Sequence, residues 1–101
     1  REAVKWFRLS AEQGNSYGQN NLGSIYYYGY CVEKDYREAV KWFRLSADQC
    51  CSYGQNSLGC MYLNGFGVEQ DYTEAMKWYL LSAKQGNKTA KAMIKKLADL
   101  L

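Results

Sequence analysis

The groups with chemistry to offer in this 101-residue chain are four cysteines, two spaced carboxylate pairs and a dense set of tyrosines and asparagines. The cysteines are Cys31, Cys50, Cys51 and Cys60, in a chain with no histidine and no C-x-x-C pair. A zinc site draws on clustered Cys and His ligands, so no metal site is expected, and nothing points to a cofactor. Cys50 and Cys51 could be redox-active. Cys60 lies ~13 to 15 Å further along the same helix at 1.5 Å per residue, too far for a simple disulfide with either. The carboxylate pairs are Asp35 with Glu38 and Asp71 with Glu74. An aspartate followed three residues later by glutamate, ahead of an apolar-periodic run, is a capping box, so these are helix caps before they are acid–base catalysts. No nucleophile stands beside a base and no glycine loop could cradle a phosphate. No catalytic residue is therefore assigned, and the chain does not read as an enzyme.

The elements that position these groups come from an internal repeat. Residues 1–36 and 37–72 agree at 25 of 36 positions, in blocks such as REAVKWFRLSA and SYGQN, and a third copy begins at Tyr72's neighbour Thr73. Self-similarity at a fixed period of this size is the mark of a stacked repeat protein. With 48% hydrophobic and 16% aromatic residues the composition is that of a folded chain. The formal charge of +3 is spread over mixed signs, leaving no charged tail to advertise nucleic acid or membrane. No apolar run approaches the ~18 residues of a bilayer span. The cysteines do not recur with the repeat, which argues against a disulfide framework and for free thiols in a reducing compartment, the cytoplasm. The chain starts inside a repeat, so the lack of a leader sequence says little about location.

Helical spacing of Ala3, Phe7 and Ala11, with Trp6 and Leu9 beside them, predicts a helix over 1–13 whose wet face carries Arg1, Lys5, Arg8 and Glu12. Gly14 supplies a left-handed stop and Asn15 an N-cap for a second helix over 16–28, closed by Gly29. Helices over 36–49, 52–64 and 72–85 repeat these two. Glycine inside a helix costs ~1 kcal/mol against alanine, so Gly18, Gly23, Gly54 and Gly59 imply close helix contact. Cys50 and Cys51 replace the Gly14-Asn15 turn, where a side chain is disfavoured by ~1 to 2 kcal/mol. That corner is expected to be strained or rearranged. In the last segment, 88–101, Ala90, Ile94, Leu97, Ala98 and Leu101 keep the buried side, but Lys95 stands where Gly23 and Gly59 stood. It reads as a capping helix with none packed beyond it. Asn87-Lys88-Thr89 matches a glycosylation acceptor, but Asn87 as a helix cap is the simpler reading.

Leu22-Gly23-x-x-Tyr26 followed by Ala39-x-x-x-Phe43, and Leu58-Gly59-x-x-Tyr62 followed by Ala75-x-x-x-Tyr79, resemble the signature of tetratricopeptide repeats. The period of 36, the G-x-G-V-x-x-D-Y connection from Gly65 and the Ala-x-x-Trp-aromatic run from Ala39 resemble the Sel-1-like repeat family more closely. The resemblance implies an all-α, right-handed solenoid of antiparallel helix pairs, about six helices in a single domain. Its parts would be 1–15 (second helix of an incomplete repeat), 16–51, 52–87 and the capping helix 88–101. It also implies a non-catalytic adaptor in protein complexes. Departures are Cys31, in place of a connecting glycine, and Gly18 and Gly54, in place of alanine. Some secreted relatives bridge each helix pair with two cysteines and are reported to act on β-lactams. Those places hold Ala11 with Gln19 and Ala47 with Gln55, so that chemistry is not expected.

Positions that differ between copies, such as Ser24 with Cys60, Tyr27 with Leu63 and Tyr28 with Asn64, fall with Tyr17, Asn20, Tyr53 and Asn56 on the side of the second helices away from their partners. In a helix-pair solenoid this side lines the concave groove. Aromatic area and side-chain amides suit a peptide or protein segment there. A rival reading uses the ladder Arg1, Lys5 and Arg8, repeated as Arg37, Lys41 and Arg44, to hold nucleic acid. Glu2, Glu12, Glu38 and Asp48 interrupt it, so a solvated face is preferred. Finally, the first helix presents Ala3, Phe7 and Ala11 without a partner helix. Either more repeats precede it or another chain covers this face, as in a homodimer.

Overall fold

The computed structural model describes residues 2–101, with side chains from Val4 onward. The expectations resting on Arg1 and on the side chains of Glu2 and Ala3 lie outside it. Six helices follow one another: α1 (Glu2–Glu12), α2 (Ser16–Tyr28), α3 (Tyr36–Asp48), α4 (Ser52–Asn64), α5 (Tyr72–Lys84) and α6 (Lys88–Ala98). Each packs antiparallel on the next, and the stack measures 41 × 25 × 17 Å. α2 and α4 also touch each other directly, which makes these corresponding helices of successive units the inner layer.

The caps explain where the helices begin. Asn15 and Asn87 accept the amides of Gly18 and Ala90 at 2.9 Å, and Asp35 and Asp71 accept those of Glu38 and Glu74 at 3.1 and 3.0 Å. The reciprocal half of the capping box is not made. The Asp35 and Asp71 amides donate instead to the Tyr26 and Tyr62 carbonyls, at 3.0 and 2.9 Å. Glu38 and Glu74 turn along their own helices to Lys41 and Lys77, at 3.7 and 3.2 Å.

The Cys50 corner is strained, not rearranged. Cys50 holds a left-handed φ of 65°, against 91° at Gly14, and its amide reaches Ala47 O as that of Gly14 reaches Ala11 O. Cys51 occupies the N-cap position of α4 with no side-chain bond. Cys31 likewise keeps a φ of 59° where Gly67 has 74°. The helical glycines have the expected steric reason. A Cβ on Gly54 would lie 2.6 Å from Ser46 Cβ and 2.8 Å from the Ala47 amide nitrogen, and one on Gly23 would lie 2.6 Å from the Phe43 ring.

Successive pairs are joined by apolar packing and a repeated set of hydrogen bonds. Trp42 is buried with Ala11, Leu22 and Ile25. Ser46 and Ser82 hydroxyls donate to the carbonyls of Ser16 and Ser52 at 2.7 Å. Gln49 and Gln85 donate to Gln19 and Gln55 at 2.7 and 3.0 Å. Such bonds satisfy polar groups that burial would otherwise penalise.

Several expectations change. Ala11 is only 2% exposed because α2 covers it, and Phe7 is half-buried against the same cluster, so the bare face of α1 is not the one carrying Phe7 and Ala11. The bare group is Trp6, 67% exposed, while its copies Trp42 and Trp78 are buried against α2 and α4 side chains or their neighbours. Leu9, which the spacing set beside the apolar face, is exposed, as are its copies Leu45 and Leu81. In α6, Ala90 and Leu97 are buried and Ile94 half-buried, but Ala98 and Leu101 are exposed because the helix ends at Ala98. Arg8 and Arg44 do not stand free on a wet face: each donates to a tyrosine hydroxyl, Tyr26 and Tyr62 respectively.

Candidate functional site

The inner helices α2 (SYGQNNLGSIYYY) and α4 (SYGQNSLGCMYLN) carry no charged side chain, although the whole chain has 13 basic and 10 acidic residues. Between them opens a cavity of about 190 Å³. Ser24, Tyr27 and Tyr28 from α2 and Asn56, Ser57 and Cys60 from α4 line it, and Phe43 and Met61 are the buried apolar groups at its base. Gly23 makes this possible. Without a side chain there, the Phe43 ring reaches under α2.

Of the residues expected in the groove, Ser24, Tyr27, Tyr28, Asn56 and Cys60 are therefore brought together at one cavity. Tyr17 and Tyr53 pair with each other, ring centroids 5.9 Å apart, at the N-terminal ends of α2 and α4. Asn20 accepts the Ser57 hydroxyl at 2.9 Å, tying the two helices. Leu63 packs into the core formed with α5 and α6. Asn64 turns back on α4, donating to the Cys60 carbonyl at 3.0 Å. Phe43, Ser57 and Met61 were not anticipated. The signal for Phe43 is its position opposite a helical glycine, which only the pairing of α2 with α3 makes legible.

Two aromatic groups flank the cavity. Tyr27 meets Tyr28 edge-on at 4.8 Å and leans on Tyr36 at 5.5 Å, which stacks on Phe66 at 4.7 Å. Tyr28, 58% exposed, stacks on Tyr30 at 5.2 Å. Burial pushes the Tyr27 phenol above its ordinary range, with Cys60 and Tyr36 adding to it. Burial also raises the Cys60 thiol, outweighing the hydrogen bonds from Asn64 and Tyr79. At neutral pH Cys60 is thus a thiol, a polar lining group and not a nucleophile. Two buried side-chain atoms among the described residues have no hydrogen-bond partner, Trp42 Nε1 away from the cavity and Asn56 Oδ1 on its lining, whereas the copy Asn20 is satisfied. Among the described residues no group of three or more His, Cys, Asp and Glu side chains could hold a metal. No helix among them is long and apolar enough to cross a membrane.

Comparison with known proteins agrees with this architecture. The family profile described as Sel1 repeat matches residues 1–15, 16–49 and 52–87. The crystal structure of c5321, a protective antigen of uropathogenic Escherichia coli displaying an SLR fold, superposes with a TM-score of 0.84 at 44% identity, covering 86% of this chain and 19% of that one. A Sel1 repeat protein from Oxalobacter formigenes gives 0.83 at 36% identity, over 90% of this chain and 37% of that one. Helicobacter pylori cysteine rich protein B gives 0.83 at 23% identity, over 89% and 68%, a likeness of fold. The chain thus spans only a minor part of the first two, and no curated protein matches it. With three successive units matched across most of its length, the chain belongs to the Sel1 repeat family.

Proposed function

We propose that the chain is a non-catalytic interaction scaffold whose inner surface, α2 and α4, binds an extended segment of another protein. The observation that carries this reading is the uncharged, aromatic-flanked cavity with the unsatisfied Asn56 Oδ1 at its edge. That atom is buried, so a turn of the Asn56 side chain into the cavity would bring it to a backbone amide of a bound segment, and the exposed Tyr28 ring would supply contact area. The nucleic-acid alternative draws no comparable support, because Arg8 and Arg44 are engaged with tyrosines and Lys41 and Lys77 with glutamates.

Selection from a displayed peptide library tests the proposal. Binders are expected to lose at least tenfold in affinity against Tyr28→Ala and Asn56→Ala, with the melting temperature of each variant unchanged or, for Asn56→Ala, slightly raised. Removing a buried acceptor that has no partner takes away a destabilising group. Binders indifferent to both substitutions would overturn the assignment of this surface.

A further inference from the structure

The inner layer does not end at α4. α6 occupies the place of α2 and α4 in the third unit, so Ser24, Cys60 and Lys96 are equivalent positions on successive inner helices, as are Asn20, Asn56 and Ala92. The chemistry changes abruptly along this row. α2 and α4 carry no charge, whereas α6 (KTAKAMIKKLA) carries Lys96 on this row and, beside it at the positions of Ser16, Gln19 and Gly23, Lys88, Lys91 and Lys95, all exposed. Lys88, Lys91, Lys95 and Lys96 line one shallow depression with Ala92. Among the described residues none of the four has a carboxylate within ion-pair distance.

Resting on the groove reading above, we propose that the bound segment carries one apolar anchor and, displaced toward α6, acidic side chains. The anchor is of phenylalanine or leucine size: the cavity of about 190 Å³ compares with the ~150 Å³ that takes a benzene in an apolar core. Its neighbouring amide donates to Asn56 Oδ1. From a cavity between α2 and α4, one and a half inner-helix spacings of ~8 to 10 Å lead to α6, so an extended chain at ~3.3 Å per residue reaches the lysines about four residues from the anchor. Neutral walls hold the anchor and the lysines fix the direction, because a reversed segment would place its acids over uncharged α2.

Labelled glycine–serine peptides provide the probe, with one phenylalanine and, four residues on, a run of three glutamates, in both chain directions. Anisotropy reports binding. The Asn56 side-chain amide resonance and protection of Cys60 from alkylation report where it occurs. One direction is expected to bind, at least tenfold tighter than the same peptide with serine for glutamate and than that with alanine for phenylalanine. Lys95→Glu with Lys96→Glu should reverse the preference toward a lysine-bearing peptide. Equal binding of the serine peptide, with Cys60 protected, would overturn the acidic specificity while leaving the groove reading intact. Binding of no peptide at the Asn56 and Cys60 reporters would overturn both. Tighter binding of a single-stranded oligonucleotide, with those reporters silent, would overturn the proposal in favour of a nucleic-acid surface on α6.

Discussion

Cys50 shows how much one residue can carry against local preference. Its φ of 65° belongs to the left-handed region, where a side chain costs ~1 to 2 kcal/mol, and the packing of α3 on α4 holds it there. Cys50→Gly should raise the melting temperature by several degrees, since about 1 kcal/mol shifts a domain of this size by ~4 to 8 °C. A calorimetric scan with no rise would mean that the corner relaxes in solution. The cysteines should also differ in reactivity. Cys50 is exposed, whereas burial raises the Cys60 thiol, leaving it less thiolate at any pH below its own pKa. Iodoacetamide at mildly alkaline pH should therefore modify Cys50 well before Cys60, as peptide mapping with time would read. Trp6 and Trp42 offer the same contrast for packing. Trp42→Ala removes a buried ring at a cost of ~3 to 5 kcal/mol. Trp6→Ala, at a 67% exposed copy of the same position, should cost well under half of that in chemical denaturation.

At the scale of elements, the close pairing of helices depends on glycines that a propensity scale alone would penalise. A methyl on Gly54 would press on Ser46 and on the Ala47 backbone, with nothing flexible to yield. Gly54→Ala should then destabilise by ~1 to 3 kcal/mol, against the gain of ~1 kcal/mol expected from helix propensity alone; urea denaturation gives the sign. Element order, caps and the glycine contacts were legible because repetition shows each of them at least twice. What escaped depends on which copy has a neighbour. The sequence REAVKWFRLSA is identical at residues 1–11 and 37–47, yet Trp6 is bare and Trp42 is buried, so no window of sequence distinguishes them. The candidate site was half legible for the same reason. Variation between copies pointed to Tyr28 and Cys60, and helical spacing added the unvarying Asn56, but Phe43 enters the cavity from the outer layer, and Leu63, equally variable, turns into the core.

For the whole molecule the decisive fact is that its two ends are unlike. At one end α1 offers Trp6, Ser10 and Gln13, the copies of the groups with which α3 and α5 grip α2 and α4. At the other, α6 offers Lys91 where α2 and α4 have Gln19 and Gln55, and Lys95 where they have Gly23 and Gly59. Joining one copy's α1 to another's α6 would bury two ammonium groups without carboxylates, each at several kcal/mol, and would drive the Lys95 stem into the space needed by Phe7. Head-to-tail growth of this chain is therefore expected to be blocked by α6, not by α1. Lys91→Gln with Lys95→Gly should remove the block, since the altered α6 would accept Gln13 and leave room for Phe7 as Gln19 and Gly23 do for Gln49 and Phe43. Because such a contact joins unlike faces, it does not close on itself and propagates. Light scattering should find mass rising with concentration in the double variant, a rise that Trp6→Glu suppresses, with no head-to-tail growth in the parent chain. A double variant whose mass stays constant over the same range would show that the lysines are not what ends the stack.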